Sequence, residues 1–140
     1  MSYLWVTIGS ALGGLLRYAI TRLTITYSIG FPFGTVLINV LGSFVIGYFG
    51  TLTLQNGRFP ASDNLRLFVM VGICGGFTTF SSFSLQTFDL MRSGAWGRAL
   101  ANVLLSVVLC VAAVAAGHML AHRSTPAQAI AETAQEEYTG

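Results

Sequence analysis

The chain has 140 residues, of which 54% are hydrophobic and only 9% are charged, and its formal net charge is +2. Soluble domains carry about 25% charged residues, so this composition is typical of a protein that lies in the lipid bilayer. The small net charge argues against a nucleic-acid partner, and four membrane-spanning helices of about 20 residues each use nearly the whole length, which leaves no room for a catalytic domain.

A first apolar segment covers residues 4–23. It lacks a basic start and a small-residue cleavage site, so we do not expect a secretory signal peptide. Gly9, Gly13 and Arg17 share one helix face, where the glycines predict the close approach of another helix. Arg17, about 9 Å inside the segment, either snorkels to the membrane surface or projects into a water-filled vestibule that attracts anions. Arg22 is better placed as the surface anchor, which favours the vestibule.

A second segment covers residues 34–54 and follows Pro32, which is typical of a helix start. Thr35, Asn39 and Ser43 form a polar stripe along it at a spacing of four residues. For Asn39 alone, a hydrogen bond to a neighbouring helix is the ordinary role, at about 0.6 kcal/mol. The stripe as a whole indicates a polar path through the membrane.

The third segment, residues 65–90, contains the stretch GICGGFTTFSSF at 72–83. Gly-Gly followed by Thr-Thr disfavours a regular helix, so we predict a helix broken near its middle. Backbone without helical hydrogen bonds persists inside a membrane only where it is buried in protein or lines a wet cavity. The alternative is an intact helix that packs closely through its small residues.

Three phenylalanines of this stretch, Phe77, Phe80 and Phe83, follow each other at intervals of three residues and share a helix face. Such a row usually packs against another helix. Hydroxyl side chains surround the rings, namely Thr78, Thr79, Ser81, Ser82 and Ser84. Because the edge of an aromatic ring is positive, rings among hydroxyls also suit an anion path, and both interpretations stay open.

The fourth segment, residues 99–120, repeats the four-residue spacing with Asn102, Ser106 and Cys110. Two helices with matching polar stripes provide what the walls of a narrow aqueous path require. Cys110 and the other cysteine, Cys74, both fall in apolar segments, so we expect small buried side chains rather than a disulfide.

Two histidines, His118 and His122, lie four residues apart near the end of this segment. We expect His118 to be an interfacial side chain, and adventitious metal binding by the pair is the weaker alternative. The predicted membrane domain covers residues 1–123, and residues 124–140 form a polar tail that is predicted to be disordered.

The arginines are balanced between the two sides of a four-helix arrangement. Apart from Arg17, three fall on each side, namely Arg58, Arg66 and Arg123 on one and Arg22, Arg92 and Arg98 on the other. Orientation follows an excess of basic residues on the cytoplasmic side, so the balance predicts insertion in both directions and an antiparallel homodimer. The two helix breaks then meet at the midplane, where freed carbonyls offer only oxygen ligands to a cation.

Three motifs together resemble the Fluc/CrcB family of small dual-topology fluoride channels: GGLLRY at 13–18, GTVLINVLGSFVIG at 34–47 and GICGGFTTFSSFS at 72–84. They cover three of the four predicted helices in the right order. The resemblance implies an antiparallel homodimer with two fluoride pores, which exports fluoride passively from the cytoplasm. It also implies a multi-pass protein of the cell inner membrane or plasma membrane that is not an enzyme.

The resemblance also implies roles for individual residues. Phe80 and Phe83 match the ring edges of the pore, and Asn39 matches its asparagine. The full fluoride-pore set is Arg17, Asn39, Ser43, Thr79, Phe80, Ser81, Phe83 and Ser106. The backbone carbonyls of Gly75 and Thr78 match the ligands of a structural sodium ion at the dimer centre. The fourth helix fits less closely, and the resemblance leaves open whether Asn102 and Cys110 line the pore.

Two other classes of membrane protein are compatible with four short spans. A proton-coupled small multidrug exporter requires a carboxylate within the membrane, and the only candidate, Asp89, lies near the end of the third segment. A non-transporting membrane subunit requires only that its glycines pack helices. An enzyme is the least supported class, because no nucleophile–base pair or metal cluster stands out.

Overall fold

The structure is a computed structural model that describes residues 2–55 and 57–123, and within these ranges it contains no β-strand. In chain order it forms α1 (Ser2–Thr24), a 3₁₀ turn (Ile25–Ser28), α2 (Phe33–Leu52), α3 (Asp63–Arg66), a π-helical segment (Leu67–Cys74), α4 (Gly75–Phe77), α5 (Phe80–Arg92) and α6 (Trp96–Arg123). We refer to Asp63–Arg92 as the third span. It, α1, α2 and α6 are long and apolar enough to cross a membrane. This confirms the predicted all-α membrane protein with four spans, whereas the predicted tail at 124–140 lies outside the described residues.

The third span is broken at two threonines. Thr78 (φ −75°, ψ 157°) and Thr79 (φ −151°, ψ 103°) are extended, so the predicted break near the middle is confirmed. The sequence prediction rested on Gly-Gly and Thr-Thr together; the structure places the break at the two threonines, and the adjacent Gly75 and Gly76 remain helical. The threonine side chains explain the position, because Thr78 Oγ1 donates to the Cys74 carbonyl at 2.9 Å. Thr79 Oγ1 accepts from the Ser82 backbone N–H at 3.2 Å and so caps α5.

Helix α1 packs against the first half of the third span through glycines on both sides. A Cβ on Gly9 would meet the Phe68 carbonyl, and a Cβ on Gly72 would lie 2.8 Å from the Cα of Gly9. One turn further along, a Cβ on Gly76 would lie 2.9 Å from the Cα of Ser10. The predicted close approach at the glycine face of α1 is therefore confirmed.

Helices α2 and α6 form the other close contact. A Cβ on Gly117 would lie 2.7 Å from the backbone nitrogen of Tyr48, and a Cβ on Gly47 would meet the Val114 carbonyl. The largest fully buried side chains are Ile38 on α2 and Asn102 on α6, each 1% exposed. The interior of the protomer thus holds an amide beside its apolar side chains. Burying an amide destabilises the fold unless the amide is hydrogen-bonded.

Replacing Gly13 with alanine is expected to lower the stability of the folded protein by about 1–3 kcal/mol, because overpacking a tight contact forces the helices apart. A Cβ at Gly13 would meet the Ile73 carbonyl and lie 2.8 Å from the backbone nitrogen of Phe77. The neighbouring Gly14→Ala is the matched control, since a Cβ there has no neighbour within 4 Å. Thermal unfolding in detergent measures both variants, and equal midpoints would contradict the role of the contact.

Candidate functional site

A cleft of about 280 Å³ opens beside the break of the third span. Its walls come from α2, from the break with the start of α5, and from α6. The lining residues are Asn39, Ser43, Thr78, Thr79, Phe80, Phe83, Ser106, Val107 and Cys110. The cleft thus brings together six of the eight residues that the sequence analysis assigned to a pore, and it leaves out Arg17 and Ser81.

Asn39 ties α2 to the break with a reciprocal pair of hydrogen bonds. The Thr79 backbone N–H donates to Asn39 Oδ1 at 2.8 Å, and Asn39 Nδ2 donates to the Thr79 carbonyl at 3.3 Å. Asn39 Oδ1 thereby replaces the acceptor that an unbroken helix would have supplied to the Thr79 N–H. Nδ2 carries two hydrogens, so one of them remains for the cleft. Asn39 combines the two roles that its sequence position left open, a bond to a neighbouring segment and a place in a polar wall.

The row of three phenylalanines divides at the break. Phe77 is half-buried and lies against α2, where a Cβ on Gly42 would be 3.3 Å from its ring. Phe80 is 78% exposed, and its ring centroid lies 5.3 Å from that of Phe83 at an angle of 45°. Packing within the protomer therefore accounts for Phe77 but not for Phe80. The exposed ring reaches the cleft beside an amide and several hydroxyls.

The hydroxyl groups at the start of α5 bond mainly to one another. Thr79 Oγ1 donates to Ser82 Oγ at 2.9 Å and lies 3.3 Å from Ser81 Oγ. Ser81 is exposed and does not line the cleft. Of the hydroxyl residues named for the break, Thr78 and Thr79 line the cleft. Ser81 does not line it, although its hydroxyl contacts that of Thr79.

A buried chain of polar side chains runs behind the cleft between α5 and α6. Ser106 Oγ lies 3.5 Å from Asn102 Oδ1, and Asn102 Nδ2 donates to Thr87 Oγ1 at 2.8 Å. Thr87 in turn donates to the Phe83 carbonyl at 2.7 Å. Asn102 lies outside the cleft, whereas Cys110 lines it. The sequence analysis missed Thr87, although its position four residues after Phe83 places it on the same face of α5.

A second cavity of about 470 Å³ lies at the end of α5 toward the α1–α2 connection. Gln86 lines it, and its Oε1 is buried with no hydrogen-bond partner in the described part of the chain. Arg98 also lines it and donates to the Gly30 carbonyl at 2.9 Å. A buried polar atom without a protein partner is ordinarily satisfied by water or a solute, so this cavity is expected to be wet. The sequence analysis did not single out Gln86, which lies three residues after Phe83.

Arg17 is the one predicted pore residue on α1, and the structure places it away from both cavities. It is half-buried, and none of the residues described around it supplies a hydrogen-bond or ion-pair partner to its guanidinium. Its assignment to a vestibule stays a prediction. Both cysteines are free in the structure; Cys74 is 3% exposed, as expected for a small buried side chain, whereas Cys110 is only partly buried.

Comparison with known proteins identifies the family of the chain. The family model described as "CrcB-like protein, Camphor Resistance (CrcB)" matches residues 4–118. A protein named "Fluoride-specific ion channel FluC" from Methylobacterium radiotolerans is 62% identical over 133 residues, or 94% of this chain and 93% of the relative. Proteins of the same name are 60% identical over 134 residues in Gluconobacter oxydans (94% and 93%) and 52% identical over 120 residues in Opitutus terrae (85% and 91%).

The match to the family model includes the glycine face of α1, the polar stripe of α2, the broken third span and most of α6. The similarity to each relative extends over nine-tenths or more of that relative's own length. These are the segments that build the cleft and the close helix contacts. The chain belongs to the CrcB family.

Proposed function

We propose that this protein is a fluoride-selective channel that lets fluoride leave the cytoplasm passively through the cleft beside the break. The main evidence for this proposal is the set of side chains that line the cleft. Its lining offers an amide, hydroxyls and aromatic rings but no acidic or basic side chain. Relatives at 52–62% identity are named as fluoride-specific channels, which supports the same function here.

The chemistry of the lining suits a small, strongly hydrated anion. Such an ion enters a narrow path only if several hydrogen-bond donors replace its water, and a ring of fixed positive charges would attract any anion. Ser43 on α2 and Ser106 on α6 both line the cleft, and both carry hydroxyl donors. The exposed Phe80 ring adds a positive edge without a formal charge.

Donors in the cleft are only partly engaged, so they remain able to bind an anion. Asn39 uses one amide hydrogen on the Thr79 carbonyl and keeps the other. The contact of Ser106 Oγ with Asn102 at 3.5 Å is long for a hydroxyl hydrogen bond, and a better acceptor would displace it. When fluoride binds, each of these donors therefore gives up at most one weak hydrogen bond.

The rival functions fit these observations less well. A proton-coupled exporter needs a carboxylate inside the membrane, and Asp89 lies in the last turn of α5, 58% exposed at its side chain and 4.0 Å from Arg92. A subunit that only packs helices explains the glycine contacts but not the exposed Phe80 beside a hydroxyl-lined cleft.

The functional unit in this proposal is an antiparallel homodimer. Phe80 leaves 78% of its surface uncovered in the protomer, and a second copy would cover it while completing the open side of the cleft. The balanced arginines supply no preference for one orientation.

A tag at one terminus is therefore expected to be reachable from both faces of the membrane. Two lysines added between α2 and α3 are expected to favour one orientation and reduce transport, and a uniform orientation of the unmodified protein would contradict the dimer.

A structural sodium ion at the dimer centre is the second part of the proposal. The Thr79 N–H donates to Asn39 and not to the Gly75 carbonyl, which would be its acceptor in a regular helix. Gly75 is exposed, and a Cβ there would have no neighbour within 4 Å, so its backbone is accessible. Freed main-chain oxygens of broken helices are suitable ligands for sodium. The carbonyls of Gly75 and Thr78 fit this role, and the ion would supply positive charge between two protomers.

Reconstitution into liposomes tests the function. Vesicles loaded with potassium fluoride and given a potassium ionophore are expected to release fluoride rapidly, whereas matched vesicles loaded with potassium chloride retain their anion. Passive transport predicts no requirement for a proton gradient. Fluoride that stays inside would support the non-transporting subunit, and release that depends on a proton gradient would support the exporter.

A further inference from the structure

Both histidines of the chain lie one turn apart at the end of α6. The ring centroids of His118 and His122 are 4.6 Å apart, with the ring planes at 69°. Both side chains are exposed. Two imidazoles in contact on one helix face are a common arrangement of metal ligands, so the state of their nitrogen atoms decides what the pair can do.

A hydrogen bond to α2 engages Nδ1 of His118. Thr51 Oγ1 lies 2.8 Å from His118 Nδ1 and 2.8 Å from the Gly47 carbonyl. When Thr51 gives its only hydrogen to Gly47, Nδ1–H is the donor to Thr51 and Nε2 holds the free lone pair. A partner that fixes the tautomer in this way is the usual outer support of a metal-ligating histidine.

The backbone around His118 is held in place by the contact between α2 and α6. A Cβ on the preceding residue, Gly117, would lie 2.7 Å from the backbone nitrogen of Tyr48. Helix α6 has 28 residues and a length of about 42 Å, which exceeds the hydrocarbon core of about 30 Å. Its last turns therefore extend to the membrane surface, where aqueous cations reach them.

We propose that His118 and His122 bind a divalent transition-metal cation, with water completing its coordination. Neutral imidazole suits Cu²⁺, Ni²⁺ and Zn²⁺, and Cu²⁺ is expected to bind most tightly. No group of three or more histidine, cysteine or carboxylate side chains able to hold a metal occurs in the described part of the chain, so the site has two protein ligands. Imidazole nitrogens distinguish it from the carbonyl site proposed for sodium, and it does not depend on the proposed transport function.

Copper titration of the tag-free protein in detergent tests the site. We expect saturation at one Cu²⁺ per protomer and an electron paramagnetic resonance spectrum with two nitrogen ligands, and Zn²⁺ is expected to displace the copper. His118→Gln and His122→Gln are each expected to remove the two-nitrogen spectrum. Thr51→Val keeps both histidine ligands but removes the hydrogen-bond partner of His118 Nδ1. The Cu²⁺ affinity of this variant is expected to fall by about tenfold or more.

A variant with redistributed histidines is the matched control. His122→Ala combined with Met119→His keeps two histidines but places them on adjacent residues, which point in different directions from the helix. Met119 is 56% exposed, so the exchange leaves the packing intact. Binding by this control equal to that of the original protein would overturn the proposal. A spectrum with one nitrogen ligand, or no saturable binding, would overturn it as well.

Discussion

Asn39→Leu is expected to abolish fluoride efflux and to lower the stability of the protein at the same time. The substitution removes an amide donor from the cleft and leaves the Thr79 N–H without its acceptor on α2, whereas the Thr79 carbonyl, as the N-cap of α5, still accepts the first hydrogen bond of that helix. An unsatisfied buried polar group costs about 1–3 kcal/mol, which is the expected loss of stability. Leucine is close to asparagine in size, so loss of packing volume contributes little. Liposome efflux and thermal unfolding measure the two effects separately.

Ser43→Ala is the matched control for this prediction. Ser43 lies one turn from Asn39 on α2 and also lines the cleft, but the break does not depend on it for a hydrogen bond. We expect Ser43→Ala to reduce flux while leaving the unfolding midpoint nearly unchanged. If Asn39→Leu unfolds at the original temperature, Asn39 does not hold the break. If it transports fluoride at the original rate, the cleft is not the path.

The four spans could be predicted from hydropathy because lipid imposes a minimum apolar length on any helix that crosses it. The ends of the helices differ from the prediction. The second helix ends at Leu52 and not at residue 54, and the third span begins at Asp63, where Ser62 caps it. The cap is a side-chain hydrogen bond to the Leu65 N–H, so hydrophobicity alone does not locate it.

The break could be predicted within the Gly-Gly-Thr-Thr stretch, but the sequence does not say which of these four residues leave the helix. Glycine permits an irregular backbone without requiring it, and both Gly75 and Gly76 are helical. Helix α1 packs against Gly76, where a Cβ would lie 2.9 Å from the Cα of Ser10. Thr78 and Thr79 form the break because Asn39, some 40 residues earlier, satisfies the backbone of Thr79. A bond between such distant residues has no signature in the local sequence. The same holds for the π-helical segment Leu67–Cys74, which no local pattern indicated.

Most of the candidate site was predictable because polar side chains at four-residue spacing fall on one face of each helix. The pattern correctly grouped Asn39, Ser43 and Ser106, which line one cleft. It did not separate Asn102, which bonds to Thr87 behind the cleft, from Cys110, which lines it. That distinction depends on the rotation of α6 against α5, and rotation is a property of the packed helices.

The last prediction concerns the aromatic rings of the cleft. Phe80→Ile and Phe83→Ile are each expected to slow fluoride efflux by about tenfold while the protein remains folded. Isoleucine keeps an apolar side chain of comparable bulk, so the cost in stability is expected to stay below about 1.5 kcal/mol. It removes the positive ring edge, and the loss of about 1.4 kcal/mol of stabilisation at the barrier corresponds to a tenfold fall in rate.

Phe88→Ile supplies the same chemical change elsewhere on α5. Phe88 is 57% exposed and lies in neither cavity lining, so its replacement is expected to leave efflux unchanged. Leu67→Ile, before the break, controls for a change of side-chain shape in the third span. Efflux from liposomes and the unfolding midpoint in detergent are measured for all four variants.

Because Phe80 is 78% exposed, packing within the protomer predicts little effect of its replacement on either quantity. Original rates in both Phe80→Ile and Phe83→Ile would mean that the rings only pack, within the protomer or between protomers, and that the anion takes another route.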